Sequence, residues 1–344
     1  MTSLPEQDQQ RYRGLSRRYG EHESTKSADV LKLARRAFPL IFALAYATIL
    51  TGLPIDVFKD RHNYLIYADS SDAILAGYII RGWNAALANE PLWLLINISL
   101  GQFLEAEQIV RVLIFVPAFI VPYLILRNNS KHMLWLILFL VGAQVMKNHV
   151  IHLRQGVGIA VFLAGYYARQ KALRLSLMGA AGFIHSSFLV VGFIGVMAWM
   201  FLKLKVAPRL RIVILLIQFG VLGFALHFIA ASLGARQIEM YIDIETEISG
   251  LGFAFWASIF IIYLSSGRSF LLNNLFPISV LAFYLPAYFS TPVAARILES
   301  ALLLILISGL SLKGLRRNYF LAGITFYTFF MFLLRLDQPW LGWG

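Results

Sequence analysis

Runs of apolar residues, each broken by a short polar stretch, recur along the chain from Phe38 to Arg335. They cover Phe38–Ile55, Pro91–Leu104, Ile109–Leu126, Met133–Met146, Val150–Ala168, Leu175–Leu202, Ile212–Leu233, Leu251–Ser266, Leu271–Phe289, Ala294–Leu312 and Tyr319–Leu334. Most approach the ~20 residues an α-helix needs to cross a ~30 Å hydrocarbon core. The pattern predicts an all-α, polytopic transmembrane helical bundle of about 10–11 membrane segments. No polar stretch between Ala37 and Trp340 is long enough to fold separately, so residues 37–344 read as one membrane domain. Its outer loops are expected at 56–90 and 234–250. Residues 1–36 read as a basic, disordered cytoplasmic tail; no apolar core followed by a cleavage site precedes Lys26, so the tail is not a signal peptide.

Composition agrees: 59% of residues are hydrophobic and 14% charged, against about 25% charged in soluble domains. A soluble globule is excluded. The net charge of +12 raises a nucleic-acid reading, but the positions of the cations argue against it. Placing the tail, Arg127 and Lys131, Arg169 to Arg174, Lys203 to Arg211, Arg268 and Lys313 to Arg317 in the cytoplasm gathers 21 of the 30 Lys and Arg on one side. The other face receives 13 of the 18 acidic residues. With no cysteine, disulfides and thiolate chemistry are excluded.

This orientation forces two irregularities. The crossing count between Ile55 and Arg127 must be odd, so either Pro91–Leu104 only dips into the membrane or the apolar part of Asp72–Leu87 also spans. From Leu175 to Leu202 the chain must leave and return within 28 residues, which predicts two half-helices meeting near His185. Broken helices at membrane depth are tolerated where they are buried in protein or line a wet cavity, so the break marks a candidate site.

The candidate chemistry lies on the outer face. Asp60 stands in the loop Asp56-Val-Phe-Lys-Asp60-Arg61-His62-Asn63-Tyr64, where a solvated charge cluster is the plain alternative. Glu90 precedes Pro91 at a predicted helix start, where a capping role weighs equally. Arg154 sits inside an apolar run, where a central charge costs at least about 2.5–3.5 kcal/mol, with snorkelling as the competing account. Gly156, Gly158 and Ala160 after it permit close approach of a helix or ligand. His185 stands at the predicted break beside Ser186 and Ser187. Arg296 opens a late helix after Thr291-Pro292, where an interfacial anchor competes. Arg236, Tyr241 and the acidic positions up to Glu247 form an amphipathic external flap. Guanidinium groups at this depth suit a lipid-linked phosphate or pyrophosphate, and a nearby carboxylate or imidazole suits proton transfer from a sugar hydroxyl. No HExxH, Walker A or GxGxxG sequence occurs, and no compact Asp, Glu and His cluster reads as a metal site.

Asp60-Arg-His-Asn-Tyr64, Asn89-Glu90-Pro-Leu-Trp, Arg154-Gln155 with small residues after it, His185-Ser186 and a late Arg296 helix occur in the order of a known family. The chain thereby resembles the EpsG-like branch of the Wzy polysaccharide polymerases over about Phe38 to Arg317, with Leu204–Pro292 matching in hydropathy alone. The resemblance implies a GT-C-like glycosyltransferase of the bacterial inner membrane, with its N-terminus cytoplasmic and its active face periplasmic. It would join undecaprenyl-pyrophosphate-linked repeat units of an O-antigen, capsule or exopolysaccharide, without cofactor or metal. Arg154 and Arg296 would neutralise the leaving pyrophosphate, and His185, Asp60 or Glu90 would serve as base or orient the acceptor. Tyr64, Gln155, Ser186, Arg236 and Tyr241 would contact substrate. The expected partners are the lipid-linked glycan, the bilayer and a chain-length regulator protein, with no nucleic acid. Alternatives are an O-antigen ligase, a polyprenyl-phosphate-sugar glycosyltransferase with a metal at Asp56 and Asp60, or a lipid-linked saccharide transporter using the broken helix.

Overall fold

The computed structural model describes residues 36–234, 250–291 and 293–343. The described chain is helical throughout its regular parts: α1 (Arg36–Thr51), α2 (Arg61–Ile80), α3 (Trp83–Ala88), α4 (Pro91–Gly101), α5 (Ala106–Asn128), α6 (Met133–Val141), α7 (Ala143–Val150) and α8 (Leu153–Tyr167). It continues through α9 (Lys171–Ile184), α10 (Ser187–Lys203), α11 (Pro208–Ser232), α12 (Leu251–Leu264), α13 (Arg268–Asn273), α14 (Leu275–Ala287), α15 (Val293–Leu310) and α16 (Gly314–Leu333). Two of these, α5 and α15, are long and apolar enough to cross a membrane, and α6 with α7 passes the same test as one bent pair. Shorter apolar helices make up most of the remainder.

The side chains turned outward fit a bilayer. Ile217, Val221, Phe224 and Phe228 repeat at helical spacing along one exposed face of α11, and Phe193, Trp199, Ile261, Phe326 and Phe329 are likewise exposed on α10, α12 and α16. By contrast α14 is buried nearly all round, as a helix apolar on every face must be in a core.

Two hydrophobic clusters divide the interior. One joins α6, α8, α10, α12, α14 and α15, and the other joins α1, α2, α4 and the first half of α5. Helices α5 and α8 contribute to both, so the strip between the clusters is a seam spanned by α8. The candidate site lies in that seam.

Three features bear on the sequence expectations. The break near His185 is present: α9 ends at Ile184, His185 is extended at φ −146°, and α10 begins at Ser187. Gly142 introduces a second break, a 62° bend that splits the expected Met133–Met146 segment into α6 and α7. The stretch 56–90, read as a connecting loop, carries α2 and α3. The tail up to residue 35 and the flap at 235–249 lie outside the described residues.

Candidate functional site

Glu90 is the hinge of the site. It joins α3 to α4 with φ at 61°, a left-handed conformation that costs a non-glycine residue roughly 1–2 kcal/mol and persists where surrounding contacts over-determine it. Asn89 helps, donating to the carbonyls of Ala85 (2.8 Å) and Gly234 (3.0 Å). The turn drives the carboxylate, 3% exposed, into the break between α9 and α10. There Oε1 accepts from the Ser186 backbone N–H at 3.1 Å and lies 2.8 Å from His185 Nδ1, while Oε2 accepts from Arg154 Nη1. The Ser186 hydroxyl adds a long contact at 3.4 Å.

This geometry bears on two competing accounts. Glu90 makes no capping bond to its own helix; its charge sits on the N-terminal end of α10, where the helix dipole favours an anion. Arg154 does not snorkel outward: it pairs with Glu90 across the seam, and its guanidinium lies 5.4 Å from the centre of the Tyr67 ring. An ionised carboxylate only accepts, so His185 Nδ1 carries the proton, and whenever the ring is neutral Nε2 is the lone pair.

Behind this group, Gln155 ties α8 to α15. Its Nε2 donates to the Arg296 carbonyl at 2.9 Å and to the Ser300 hydroxyl at 3.1 Å, and Ser300 shares a 2.7 Å bond with Ser187. The small residues after Arg154 serve helix approach. A Cβ on Gly156 would lie 2.2 Å from the Asn148 carbonyl oxygen, and one on Gly158 would lie 2.7 Å from the Phe188 ring.

A cavity of about 620 Å³ opens onto these residues, within the usual ~300–1,000 Å³ of small-molecule sites. Arg154, Gln155, His185 and Arg296 form one wall, and α2 forms another from Asp60 through Tyr64 and Tyr67 to Arg81. Among the described residues His185 Nε2, Arg154 Nε, Gln155 Oε1 and His152 Nδ1 are buried without a partner, at about 1–3 kcal/mol each, and all four residues line the cavity.

Asp60 and Arg61, read together as a solvated cluster, separate. Asp60 lines the cavity with its carboxylate 4.0 Å from His152 Nε2. Arg61 is fully buried, donating to the carbonyls of Val150 (3.0 Å) and Pro54 (2.6 Å) and stacking over Phe58. It holds the loop from which Asp60 projects.

Thus Asp60, Tyr64, Glu90, Arg154, Gln155, His185, Ser186 and Arg296 converge, whereas Arg236 and Tyr241 lie outside the described residues. Sequence reasoning assigned no role to His152, Ser300 or Arg81. His152 stands two residues before Arg154, but nothing in the sequence pairs it with Asp60. Among the described residues no three His, Asp or Glu side chains come together as a metal site. No family model, curated protein or solved structure matches the chain.

Proposed function

We propose that the chain is a polysaccharide polymerase of the bacterial inner membrane, a GT-C-like glycosyltransferase joining undecaprenyl-pyrophosphate-linked repeat units at the periplasmic face. The observation that carries this reading is the Glu90–His185 pair with Arg154 at a helix break, set in the wall of a cavity that also holds Arg296. A base, its orienting carboxylate and cationic groups for a phosphate leaving group then share one space.

On this reading His185 Nε2 takes the proton of the acceptor hydroxyl, and that oxygen forms a bond to the anomeric carbon of the growing chain. The bond from that carbon to the pyrophosphate oxygen breaks, and the pyrophosphate leaves with the electron pair. Glu90 keeps Nδ1 protonated and stabilises the imidazolium, as the carboxylate does in hydrolase triads. Because Glu90 already accepts from Arg154, His185 and Ser186, it is assigned this orienting role and not that of base. Arg154 holds Glu90 with Nη1 and keeps Nε for the substrate, while Arg296 and Arg81 face the developing phosphate charge.

The test is deletion in the native host followed by gel analysis of the surface polysaccharide. The polymer ladder is expected to collapse to core plus one repeat and to return with the wild-type gene, but not with Arg154→Ala or His185→Ala. Normal ladders from either variant at normal protein level would overturn the assignment. Full-length polymer stranded on its lipid carrier would identify a ligase instead.

A further inference from the structure

At the opposite end of α8 and α15 from the site lies a second cavity, of about 330 Å³. Its polar lining comes from the C-terminal ends of α5, α8 and α15 and the junction of α13 with α14, and Leu304, Ile307 and Pro277 supply an apolar side. The polar groups are already organised: Asn129 donates to the Tyr167 hydroxyl at 3.0 Å, and Asn274 to the Ser311 hydroxyl at 3.4 Å. With those amide hydrogens committed, the carbonyl oxygens of both Asn side chains can serve as acceptors for hydroxyl groups.

The cations stand beside the lining, not in it: Arg317 Nη2 donates at 3.3 Å to Nδ1 of His132, which lines the cavity, and among the described residues Arg317 Nε is buried without a partner. Burial, together with Arg317 and Lys131, holds the His132 imidazole below its usual range. The loops at this end, 127–132, 169–174, 203–211, 268–274 and 313–317, contain 13 Lys and Arg and not one Asp or Glu. Among the described residues these loops therefore offer the rim no counter-charge.

We infer that this cavity binds an anionic phosphate-diester headgroup bearing free hydroxyls, drawn from a membrane lipid of the leaflet at the basic end. The phosphate would sit on Arg317 and the neighbouring cations, and the hydroxyls on Asn129, Asn274 and Ser311, with the acyl chains leaving past the apolar side. The inference rests on the membrane reading alone and not on the polymerase assignment.

The experiment is native mass spectrometry of the purified full-length protein with phosphatidylglycerol, phosphatidylethanolamine and phosphatidylcholine of identical acyl chains. Phosphatidylglycerol is expected to be retained about fivefold or more over phosphatidylcholine, a margin that loss of one charge-assisted hydrogen bond would remove. Arg317→Gln should abolish the preference, and Tyr167→Phe should weaken it with an unchanged melting temperature. Glu90→Gln, at the other end of α8, should leave it intact. Equal retention of all three lipids, or a preference that both Arg317→Gln and Tyr167→Phe leave untouched, would overturn the proposal. Displacement of the bound lipid by millimolar inorganic phosphate would assign the site to free phosphate and overturn the lipid source.

Discussion

The contact between Glu90 and Arg154 decides how the site tolerates change. Both groups are nearly closed to solvent, Glu90 at 3% and the Arg154 side chain at 17%, and removing one member of such a pair leaves the other charge uncompensated, at about 3–5 kcal/mol. Glu90→Ala and Arg154→Met are therefore each expected to lower the thermal midpoint sharply, whereas the double variant costs much less than their sum. A double-mutant cycle by thermal unfolding in detergent checks this, and additive losses would mean the pair is not coupled. Glu90→Gln keeps an oxygen toward Ser186 but removes the charge that pairs Arg154 and keeps His185 Nδ1 protonated, so polymer formed per folded molecule should fall by about 100-fold or more, beyond any loss of protein level. Normal polymer from Glu90→Gln would remove the orienting role. The individual members of this group were legible from sequence because each is costly where it stands: a charge in an apolar run, a histidine at a forced break. Their pairing was not, since Glu90 and His185 are 95 positions apart and single-sequence patterns carry no long-range contacts. The same gap hid His152, whose partner Asp60 lies on another element.

Helices bring these residues together through a few close approaches of backbone. At Gly156 an added Cβ would meet the Asn148 carbonyl oxygen at 2.2 Å, backbone against backbone, so the turn between α7 and α8 cannot yield. At Gly158 the obstacle is the Phe188 ring at 2.7 Å with His185 Cβ at 3.4 Å behind it. Gly179 and Gly192, on α9 and α10, meet nothing within 4 Å. Gly156→Ala is expected to prevent stable accumulation of the protein and Gly158→Ala to lose polymer, while Gly179→Ala and Gly192→Ala are neutral or gain about 0.5–1 kcal/mol of helix stability. Membrane-fraction immunoblots with thermal unfolding check the series, and a destabilising Gly192→Ala would contradict the packing described for α10. At this scale the sequence was legible where parity demanded a feature: the return of the chain within Leu175–Leu202 required the break at His185. The bend at Gly142 was hidden because Leu136 to Val141 and Val145 to Met146 keep the hydropathy high on both sides. Helix α2 was hidden for the opposite reason. Asp69, Ser70, Ser71 and Asp72 lower its hydropathy to that of a loop, although it packs Tyr64, Tyr67 and Tyr78 inward.

Over the whole molecule, charge and cavities are arranged along one axis. The end whose described loops hold 13 Lys and Arg and no carboxylate carries the smaller cavity, and the end with Asp60, Glu90, Arg154, His185 and Arg296 carries the larger one. In a bilayer, cationic loops tend to stay on the cytoplasmic side, so the proposed function expects the larger cavity to face the opposite compartment. The absence of cysteine gives a direct test, since any thiol introduced is the only one in the chain. Lys59 and Gln102 are exposed near the site end, and Lys131 and Lys313 are exposed at the basic end. Single variants Lys59→Cys and Gln102→Cys should react with a membrane-impermeant maleimide on intact spheroplasts, whereas Lys131→Cys and Lys313→Cys should react only after permeabilisation. The reverse pattern would turn the Glu90 and His185 cavity toward the cytoplasm. A transferase using lipid-linked units at the outer face would then have no access to its substrate, and the proposed function would fall even if every contact in the site were as described.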